Sequence, residues 1–188
     1  MKKEIEQIIL RSSSIIKESV SLSSDIENAV TIIVNCLKNG NKIILFGNGG
    51  SAADAQHIAA EFVGRFQKER KSFPAISLTS DSSILTSLSN DYSFDLIFSR
   101  QCESLVNPDD VVIGISTSGN SKNIVKGLEK SKERGAKIIS LLGNSGGAIK
   151  NYSDVAIIVN SNVAAHIQEV HRVIYHIICN LVEKSLSE

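Results

Sequence analysis

Short apolar runs alternate with longer helical stretches over most of this chain, from Gly40 onward. The runs are rich in β-branched residues and span 43–46, 75–78, 111–115, 137–142 and 155–159. Each is apolar nearly throughout, which is typical of strands buried on both faces of a parallel sheet. Helical periodicity occupies 52–66, 82–89, 93–104, 121–134 and 164–186. The alternation predicts an α/β fold, a three-layer sandwich around a five-stranded parallel sheet.

Two further helices are predicted ahead of this pattern, over 2–19 and 24–38. The second ends at Asn39-Gly40, a pair that commonly stops a helix. A chain of 188 residues is long enough for one domain with a sizeable core. We therefore expect a single domain over 1–188, with N-terminal helices in 1–39 and the α/β core in 40–188.

The charge balance argues against polyanionic and membrane partners. Lysine plus arginine equals aspartate plus glutamate, at 20 each, and tryptophan is absent, so we expect no nucleic-acid or membrane surface. The sequence has no apolar run of about 20 residues that would predict a transmembrane helix, and its start does not have the pattern of a signal peptide. We expect a cytoplasmic protein. The charged run Lys68–Lys71 is interpreted as a solvated loop, and Cys36, Cys102 and Cys179 as free, packed thiols.

Two predicted strands lead into loops that suit a ligand, because open α/β sheets bind ligands at the carboxyl ends of strands. The first strand leads into Gly47–Ser51, where Ser51 is the predicted N-cap of the next helix. The third leads into Gly114–Ser121, which carries four hydroxyl residues, Ser116, Thr117, Ser118 and Ser121. Such a loop at a helix N-terminus can surround a phosphate with N–H and O–H donors. The turn Leu142–Gly147 is either a simple chain reversal or a third ligand loop.

The glycine turn also fits a different kind of site. Gly47-Asn-Gly-Gly-Ser-Ala52 matches the G-x-G-x-x-A pattern of dinucleotide-binding folds. That pattern requires an acidic residue about 20 positions later, at the end of the second strand, whereas Asp81 lies well beyond that spacing. A nucleotide site would also leave the hydroxyl-rich loop and the histidines without a role, so the phosphate interpretation is preferred.

Imidazole and carboxylate side chains are the candidates for chemistry. His57 and Glu61 are four residues apart on a predicted helix, so they project from one face and can bind one metal or act as base and partner. The other histidines, His166, His171 and His176, lie in the C-terminal helix. Packing or solvation is the expectation for His166 and His171, and burial with a partner is the expectation for His176.

Together these residues resemble the sugar-isomerase (SIS) domain family and, within it, the phosphoheptose isomerases. The resemblance covers nearly the whole chain and implies the flavodoxin-like SIS fold. The matching stretches are 47–57, 60–61, 64–65, 90–91, 98–100, 114–121, 167–171 and His176. The Ser-Thr-Ser-Gly sequence alone marks only the superfamily. The set that includes His57, Glu61, Gln168 and His176 is far more specific.

The resemblance implies an activity: isomerisation of sedoheptulose 7-phosphate to D-glycero-D-manno-heptose 7-phosphate through a cis-enediol, for lipopolysaccharide or another surface polysaccharide. Glu61 and His176 are implied as the acid–base pair. One zinc ion per subunit is implied, with His57, Glu61, Gln168 and His176 as ligands. The implied substrate-binding residues are Asn48, Gly49, Gly50, Ser51, Glu61, Arg65, Asn90, Asp91, Ser116, Thr117, Ser118, Ser121 and Gln168. The family is described as tetrameric with sites at subunit contacts, so a homotetramer is expected.

Several alternatives stay open at this point. Gln168 and His176 are separated by about 12 Å along a straight helix, so they either converge through long side chains or belong to different copies of the chain. Ala165-His166 stands where some members have Asp-Arg, which leaves any charge role there in doubt. The rival functions are a non-catalytic SIS protein that binds a partner such as the DnaA initiator, and an isomerase or sensor of another phosphosugar. Retention of Glu61 and His176 favours the enzyme.

Overall fold

The computed structural model describes residues 1–187 and contains one sheet of five parallel strands in the order β2-β1-β3-β4-β5. The strands are β1 Ile43–Gly47, β2 Ala75–Ser77, β3 Val111–Ser116, β4 Lys137–Gly143 and β5 Val155–Val159. All five lie where the β-branched runs predicted them, and their direction confirms the parallel sheet.

Seven α-helices surround the sheet. They are α1 Lys2–Glu18, α2 Ser23–Lys38, α3 Gly50–Val63, α4 Ser82–Asp91, α5 Ile97–Leu105, α6 Lys122–Glu133 and α7 Ala164–Leu186. The helix predicted over 93–104 begins as a separate 3₁₀ turn, Phe94–Leu96, which Ser93 caps by accepting a hydrogen bond from the N–H of Asp95. The helix predicted to start at 52 starts at Gly50, with Gly49 as its N-cap. The prediction that Ser51 is the N-cap was therefore wrong.

Burial of the strands depends on their position in the sheet. The three central strands β1, β3 and β4 are buried almost throughout, as expected of strands covered on both faces. The edge strand β2 is partly exposed along its length, and β5 at the other edge alternates between buried and half-buried residues. The expectation of full burial on both faces was therefore wrong for the two edge strands.

Two hydrophobic clusters, one on each face of the sheet, complete the three layers. Helices α1, α2, α3 and α7 pack on one face around residues such as Ile33, Phe62 and Ile174. Helices α5 and α6 pack on the other face around Phe98 and Leu128, and α4 contributes partly buried leucines. Alternate residues of β1 point into the two clusters, because successive side chains of a strand face opposite ways. The expected three-layer sandwich is confirmed.

Helices α3 and α7 run side by side in the same direction and in constant register. The side chain of Gln168 lies over Gly50. Further along, Arg172 reaches Asp54 and Tyr175 reaches His57, and each of these two pairs is separated by 118 positions. Contacts that repeat every turn in this way bring the polar side chains of both helices to one shared seam.

The loop after α3 is anchored by an ion pair that the sequence did not predict. The carboxylate of Glu183 accepts hydrogen bonds from the backbone N–H groups of residues 66–68 and from Nε of Arg70. The guanidinium of Arg70 also donates to the carbonyls of Glu61 and Phe62 near the end of α3. The side chain of Arg70 is only 6% exposed, so the interpretation of Lys68–Lys71 as a solvated loop was wrong for this residue. Its partner lies more than a hundred positions away, beyond the reach of local pattern.

The three cysteines are buried and free, as predicted. Within residues 1–187, none of the helices has the length and apolar character needed to cross a membrane.

Candidate active site

The two glycine- and serine-rich loops lie side by side at the carboxyl edge of the sheet. Strands β1 and β3 are neighbours, and Gly47 at the end of β1 is in register with Ile115 near the end of β3. The chain moves from β1 outward to β2 and then back across β1 to β3. This reversal creates a crevice between the two loops, which is where open α/β sheets bind ligands.

The first loop brings backbone close to any ligand in the crevice. Gly49 has φ +55°, a conformation that glycine adopts without steric cost. A Cβ atom on Gly47 would overlap the backbone of Ser51, and one on Gly50 would overlap the side-chain amide of Gln168. Ser51 itself is buried at the start of α3. Close packing thus requires glycine at position 47, and the positive φ favours glycine at position 49.

The second loop gathers hydroxyl groups around one point. Ser116 Oγ accepts a hydrogen bond from the N–H of Gly119 at 3.1 Å and lies 3.5 Å from the hydroxyls of both Ser118 and Ser121. Ser121 precedes α6 as its N-cap residue, yet its hydroxyl caps no backbone N–H among the described residues. The loop and α3 share a small cavity, lined by Asn48, Ser51, Ile115, Ser116, Thr117, Ser121, Ile124 and Gln168. Hydroxyls and a helix N-terminus at one cavity can bind an oxyanion.

The turn after β4 holds the hydroxyl-rich loop in place. Asn144 Nδ2 donates to the carbonyl of Thr117 at 2.9 Å. The N–H of Ala148 donates to Asn120 Oδ1, and the N–H of Ile149 donates to the carbonyl of Gly119. These contacts give the turn Leu142–Gly147, together with the two residues after it, a supporting role beside the crevice, which goes beyond a simple chain reversal.

The amide of Asn48 is fixed by Asn123, a residue that was not predicted from the sequence. Asn48 and Asn123 exchange two side-chain hydrogen bonds, each 2.9 Å long. Asn123 is buried in the first turn of α6. A polar residue in the first turn of a helix, on the face that also carries Ile124 and Leu128, is the sequence signal that would have identified it.

A second cluster of polar side chains lies further along the seam between α3 and α7. His57, Glu61 and His176 each present one ligand atom, and all three atoms lie within 4.8 Å of one another. His57 Nε2 is 3.0 Å from Glu61 Oε1, as their four-residue spacing predicted. Two imidazoles and one carboxylate are a donor set that catalytic zinc sites use, with one position left open. The residues therefore fit a zinc ion, and their half-buried positions leave room for a further ligand.

His176 has an aromatic environment. Its ring packs against His57, Tyr175 and Phe66, with centroids 5.3, 4.7 and 5.7 Å away. Burial, together with the neighbouring His57, lowers the pKa of His176 below its ordinary value, although the charge of Glu61 opposes this. The imidazole is consequently neutral near pH 7, the form that accepts a proton or binds a metal.

A hydrogen-bond network of Tyr175, Asp54 and Arg172 lies behind His57, on the side away from Glu61. Tyr175 Oη is 3.2 Å from His57 Nδ1 and donates to Asp54 Oδ1 at 3.4 Å. Arg172 Nη2 also binds Asp54 Oδ1, at 3.2 Å. Burial, reinforced by the charge of Asp54, raises the pKa of Tyr175 to about 12. This network was not predicted from the sequence, since its members come from two helices.

The remaining predicted site residues have other neighbours in this structure. Gln168 lines the cavity of the hydroxyl-rich loop and lies two turns before His176 on α7. Arg65 forms an exposed ion pair with Glu69 at 3.6 Å. Asn90 and Asp91 are exposed at the end of α4, where Asn90 Nδ2 donates to Asp91 Oδ1. Site roles for these residues stay predictions.

Two other residues that were considered as site candidates, His171 and Asp81, contribute to the fold. His171 is fully buried in α7, and its Nε2 lies 3.0 Å from the carbonyl of Leu142, so the packing expectation is confirmed. Asp81, the acidic residue that a dinucleotide pattern would need, caps α4 by accepting a hydrogen bond from the N–H of Ile84.

Comparison with known proteins identifies similar sequences and structures. A family model described as SIS domain matches residues 9–143. The chain is 49% identical to the phosphoheptose isomerase of Aquifex aeolicus over 189 residues, which is 100% of this chain and 99% of the relative. It is 55% identical to that of Citrifermentans bemidjiense over 165 residues, 88% of this chain and 86% of the relative. The structure of phosphoheptose isomerase from Neisseria gonorrhoeae has a TM-score of 0.93 at 37% identity, over 97% of this chain and 98% of that one.

Proposed function

Because the chain belongs to the SIS domain family and, within it, to the phosphoheptose isomerases, we propose that it converts sedoheptulose 7-phosphate to D-glycero-D-manno-heptose 7-phosphate. The chain is a phosphosugar isomerase. The identity of its substrate, the residues that transfer the proton and the metal are what we propose. The observation that carries the proposal is the convergence of His57, Glu61 and His176 within 4.8 Å. The proposed product is an aldose that supplies heptose for surface polysaccharide.

The hydroxyl-rich loop is the proposed phosphate subsite. Support comes from the hydroxyls of Ser118 and Ser121, each of which lies 3.5 Å from the hydroxyl of Ser116. The start of α6 adds a dipole that favours an anion, although the N–H of Ile124 already donates to Asn123 Oδ1. Binding at the phosphate holds the reacting end of the sugar in place. This raises the rate, because the substrate has already lost translational and rotational freedom before the chemical step. Gly49, Gly50, Ser51 and Thr117 line the same crevice and are proposed to contact the sugar.

Glu61 is proposed to be the base that removes a proton from C1 of the open-chain ketose. The carbon–hydrogen bond breaks, its electron pair forms the C1–C2 double bond, and the carbonyl oxygen at C2 gains negative charge. The cis-enediol forms when that oxygen accepts a proton. Return of a proton to C2 and loss of the O1 proton complete the aldose, so no net atom or electron is gained.

His176 is proposed to move the proton between the two oxygens. The ring nitrogen that does not hold the metal can give its proton to O2 and then take one from O1. Its position beside His57 and Glu61 supports this role. Zinc is the proposed metal, held by His57, Glu61 and His176, and when bound it would polarise the substrate oxygens.

Gln168 is proposed as the fourth ligand, and a homotetramer is proposed to assemble the complete site. The two-turn separation from His176 on α7 supports a contribution of Gln168 from another copy of the chain. Arg65, Asn90 and Asp91 are exposed on this copy, which is consistent with a role at a contact between copies.

The test is an assay of the purified protein on sedoheptulose 7-phosphate. We expect Glu61→Gln and His176→Asn each to lower kcat by at least ~10²-fold, the lower end for a lost general acid or base. A chelator is expected to lower turnover, and added zinc is expected to restore it. Exposed Glu129 is the matched control, and Glu129→Gln should keep the wild-type rate. Near-normal kcat in both site variants would contradict the assignment of the acid–base pair.

A further inference from the structure

The two ring nitrogens of His57 face two different environments. Nε2 lies 3.0 Å from Glu61 in the half-buried cluster with His176. Nδ1 lies 3.2 Å from the hydroxyl of Tyr175, a side chain that is only 1% exposed. The ring is therefore held with Nε2 toward the reacting groups and Nδ1 toward the protein interior.

The phenol of Tyr175 has one proton to donate and two neighbours that can accept it. One is His57 Nδ1, and the other is Asp54 Oδ1 at 3.4 Å. An ionised carboxylate can only accept hydrogen bonds. Asp54 is 3% exposed, and Arg172 Nη2 lies 3.2 Å from its Oδ1. The guanidinium compensates the charge of the carboxylate, whose oxygen can still accept a hydrogen bond from the phenol.

The direction of the Tyr175 hydroxyl is coupled to the tautomer of His57. When the hydroxyl donates to Nδ1, the ring proton is on Nε2 and faces Glu61. When the hydroxyl donates to Asp54, its oxygen accepts the Nδ1–H of His57, and Nε2 then has a free lone pair. A metal ligand needs this second arrangement. The 3.4 Å separation is long for an O–H···O bond, so the hydroxyl can rotate between its two acceptors.

We propose that Tyr175, backed by Asp54 and Arg172, is a positioning residue that presents Nε2 of His57 to the metal. The proposal rests on the proposed role of His57 as a zinc ligand. Tyr175 acts only through His57 and has no contact with the reacting atoms. Loss of its hydroxyl removes the acceptor for Nδ1–H and leaves that group without a hydrogen-bond partner.

The first test measures zinc affinity. Tyr175→Phe removes the hydroxyl and keeps the ring that packs against His176. We expect its affinity for zinc, measured by competition with a chromophoric chelator, to fall about 10- to 100-fold, the usual effect of losing such a partner of a metal-bound histidine. Tyr152→Phe is the control, since Tyr152 packs against the cluster on the other face of the sheet and its variant should bind zinc as the wild type does.

The second test detects the hydrogen bond itself and does not depend on activity. In the zinc-loaded wild-type protein labelled with ¹⁵N-histidine, we expect a slowly exchanging Nδ1–H resonance from His57, assigned by its loss in His57→Gln. This resonance should disappear in Tyr175→Phe through fast exchange with water. Asp54→Asn, which removes the charge of the acceptor at nearly constant size, should weaken zinc binding in the same direction and serves if Tyr175→Phe does not fold.

The outcomes separate this role from the function proposed above. If the wild type binds zinc and turns over substrate but Tyr175→Phe keeps both the affinity and the Nδ1–H resonance, the positioning role is wrong and the zinc centre stands. If the wild type binds no zinc, or His57→Gln binds it equally well, the metal centre and this role are both wrong.

Discussion

Gly119 is the residue on which the shape of the hydroxyl-rich loop depends most directly. It has φ +68°, and a Cβ atom there would overlap the carbonyl group of Gly146. We predict that Gly119→Ala displaces the loop from the turn that supports it. Since a misplacement of about 1 Å can lower the rate by ~10²-fold, kcat/KM for the phosphosugar should fall by roughly that factor.

Gly40 provides the matched control for this prediction. Its φ of +81° is equally unfavourable for alanine, but nothing lies within 4 Å of the added methyl group. Gly40→Ala should therefore lose about 1–2 kcal/mol of stability from backbone strain alone and keep its kcat/KM. Equal kinetic losses in the two variants would show that backbone strain, and not the contact with Gly146, controls the loop.

Residue spacing predicted the part of the candidate site that lies on one helix. His57 and Glu61 are four positions apart, so their proximity follows from helical geometry. The contact between Tyr175 and His57 spans 118 positions, and nothing local to either residue indicates it. The register between two helices depends on packing across the whole domain, which a single sequence does not display.

At the scale of elements, the ion pair between Arg70 and Glu183 connects the loop after α3 to α7. Burial alone would raise the pKa of Glu183, but the backbone N–H groups of residues 66–68 and the charge of Arg70 outweigh it and hold the pKa below its ordinary value. The side chains of Glu183 and Arg70 are 2% and 6% exposed. The pair fixes the loop that includes Phe66, which packs on His176.

We predict that Glu183→Gln lowers the free energy of unfolding by about 3 kcal/mol at pH 7, because it leaves a buried guanidinium without its charge partner. The folded-state pKa is depressed, so the stabilisation is complete above the unfolded-state pKa of about 4.3 and is lost as the pH falls through the folded-state value. Urea unfolding should show the largest difference from wild type near neutral pH and a smaller one below about pH 4. Glu129→Gln, on the exposed face of α6, should change stability by less than about 0.5 kcal/mol. A gap that widened in acid would contradict this account.

Most element boundaries were predictable, because β-branched runs and helix-stop residues act within a few positions. All five strands fell within one or two residues of the predicted ranges. The start of α3 differed, because Gly49 takes a positive φ that allows the helix to begin two residues early. The burial of Arg70 was not predicted, because charged residues in a run are normally solvated. It depends on Glu183, a partner in α7.

At the scale of the whole molecule, α1 leaves an apolar face without a partner within the described chain. Ile15 is its only buried residue, whereas Ile5, Ile8 and Ile9 are 51%, 57% and 62% exposed. These residues recur at helical spacing on one side, as expected of a helix that packs against another surface. A second copy of the chain is the partner that the proposed homotetramer supplies.

We predict that Ile9→Glu lowers the molar mass measured by light scattering from that of a tetramer toward smaller species. A charge placed in an apolar contact is costly to bury, and about 1.5–3 kcal/mol of side-chain burial is lost as well. Leu105→Glu is the control, since Leu105 ends α5 on the opposite face of the sheet. A wild-type protein that is monomeric at micromolar concentration would rule out the tetramer, and an unchanged mass for Ile9→Glu would place the contact elsewhere.

The constant register between α3 and α7 limits how the length of this chain can vary. A residue inserted in α7 between Gln168 and His176 would turn everything after it by about 100°, moving Tyr175 and His176 away from His57 while leaving Gln168 over Gly50. Loops elsewhere can lengthen at little cost, but this interval admits neither insertion nor deletion unless α3 changes by the same amount. Substitutions can alter the chemistry along the seam, whereas gaps in an alignment of working relatives should fall outside it.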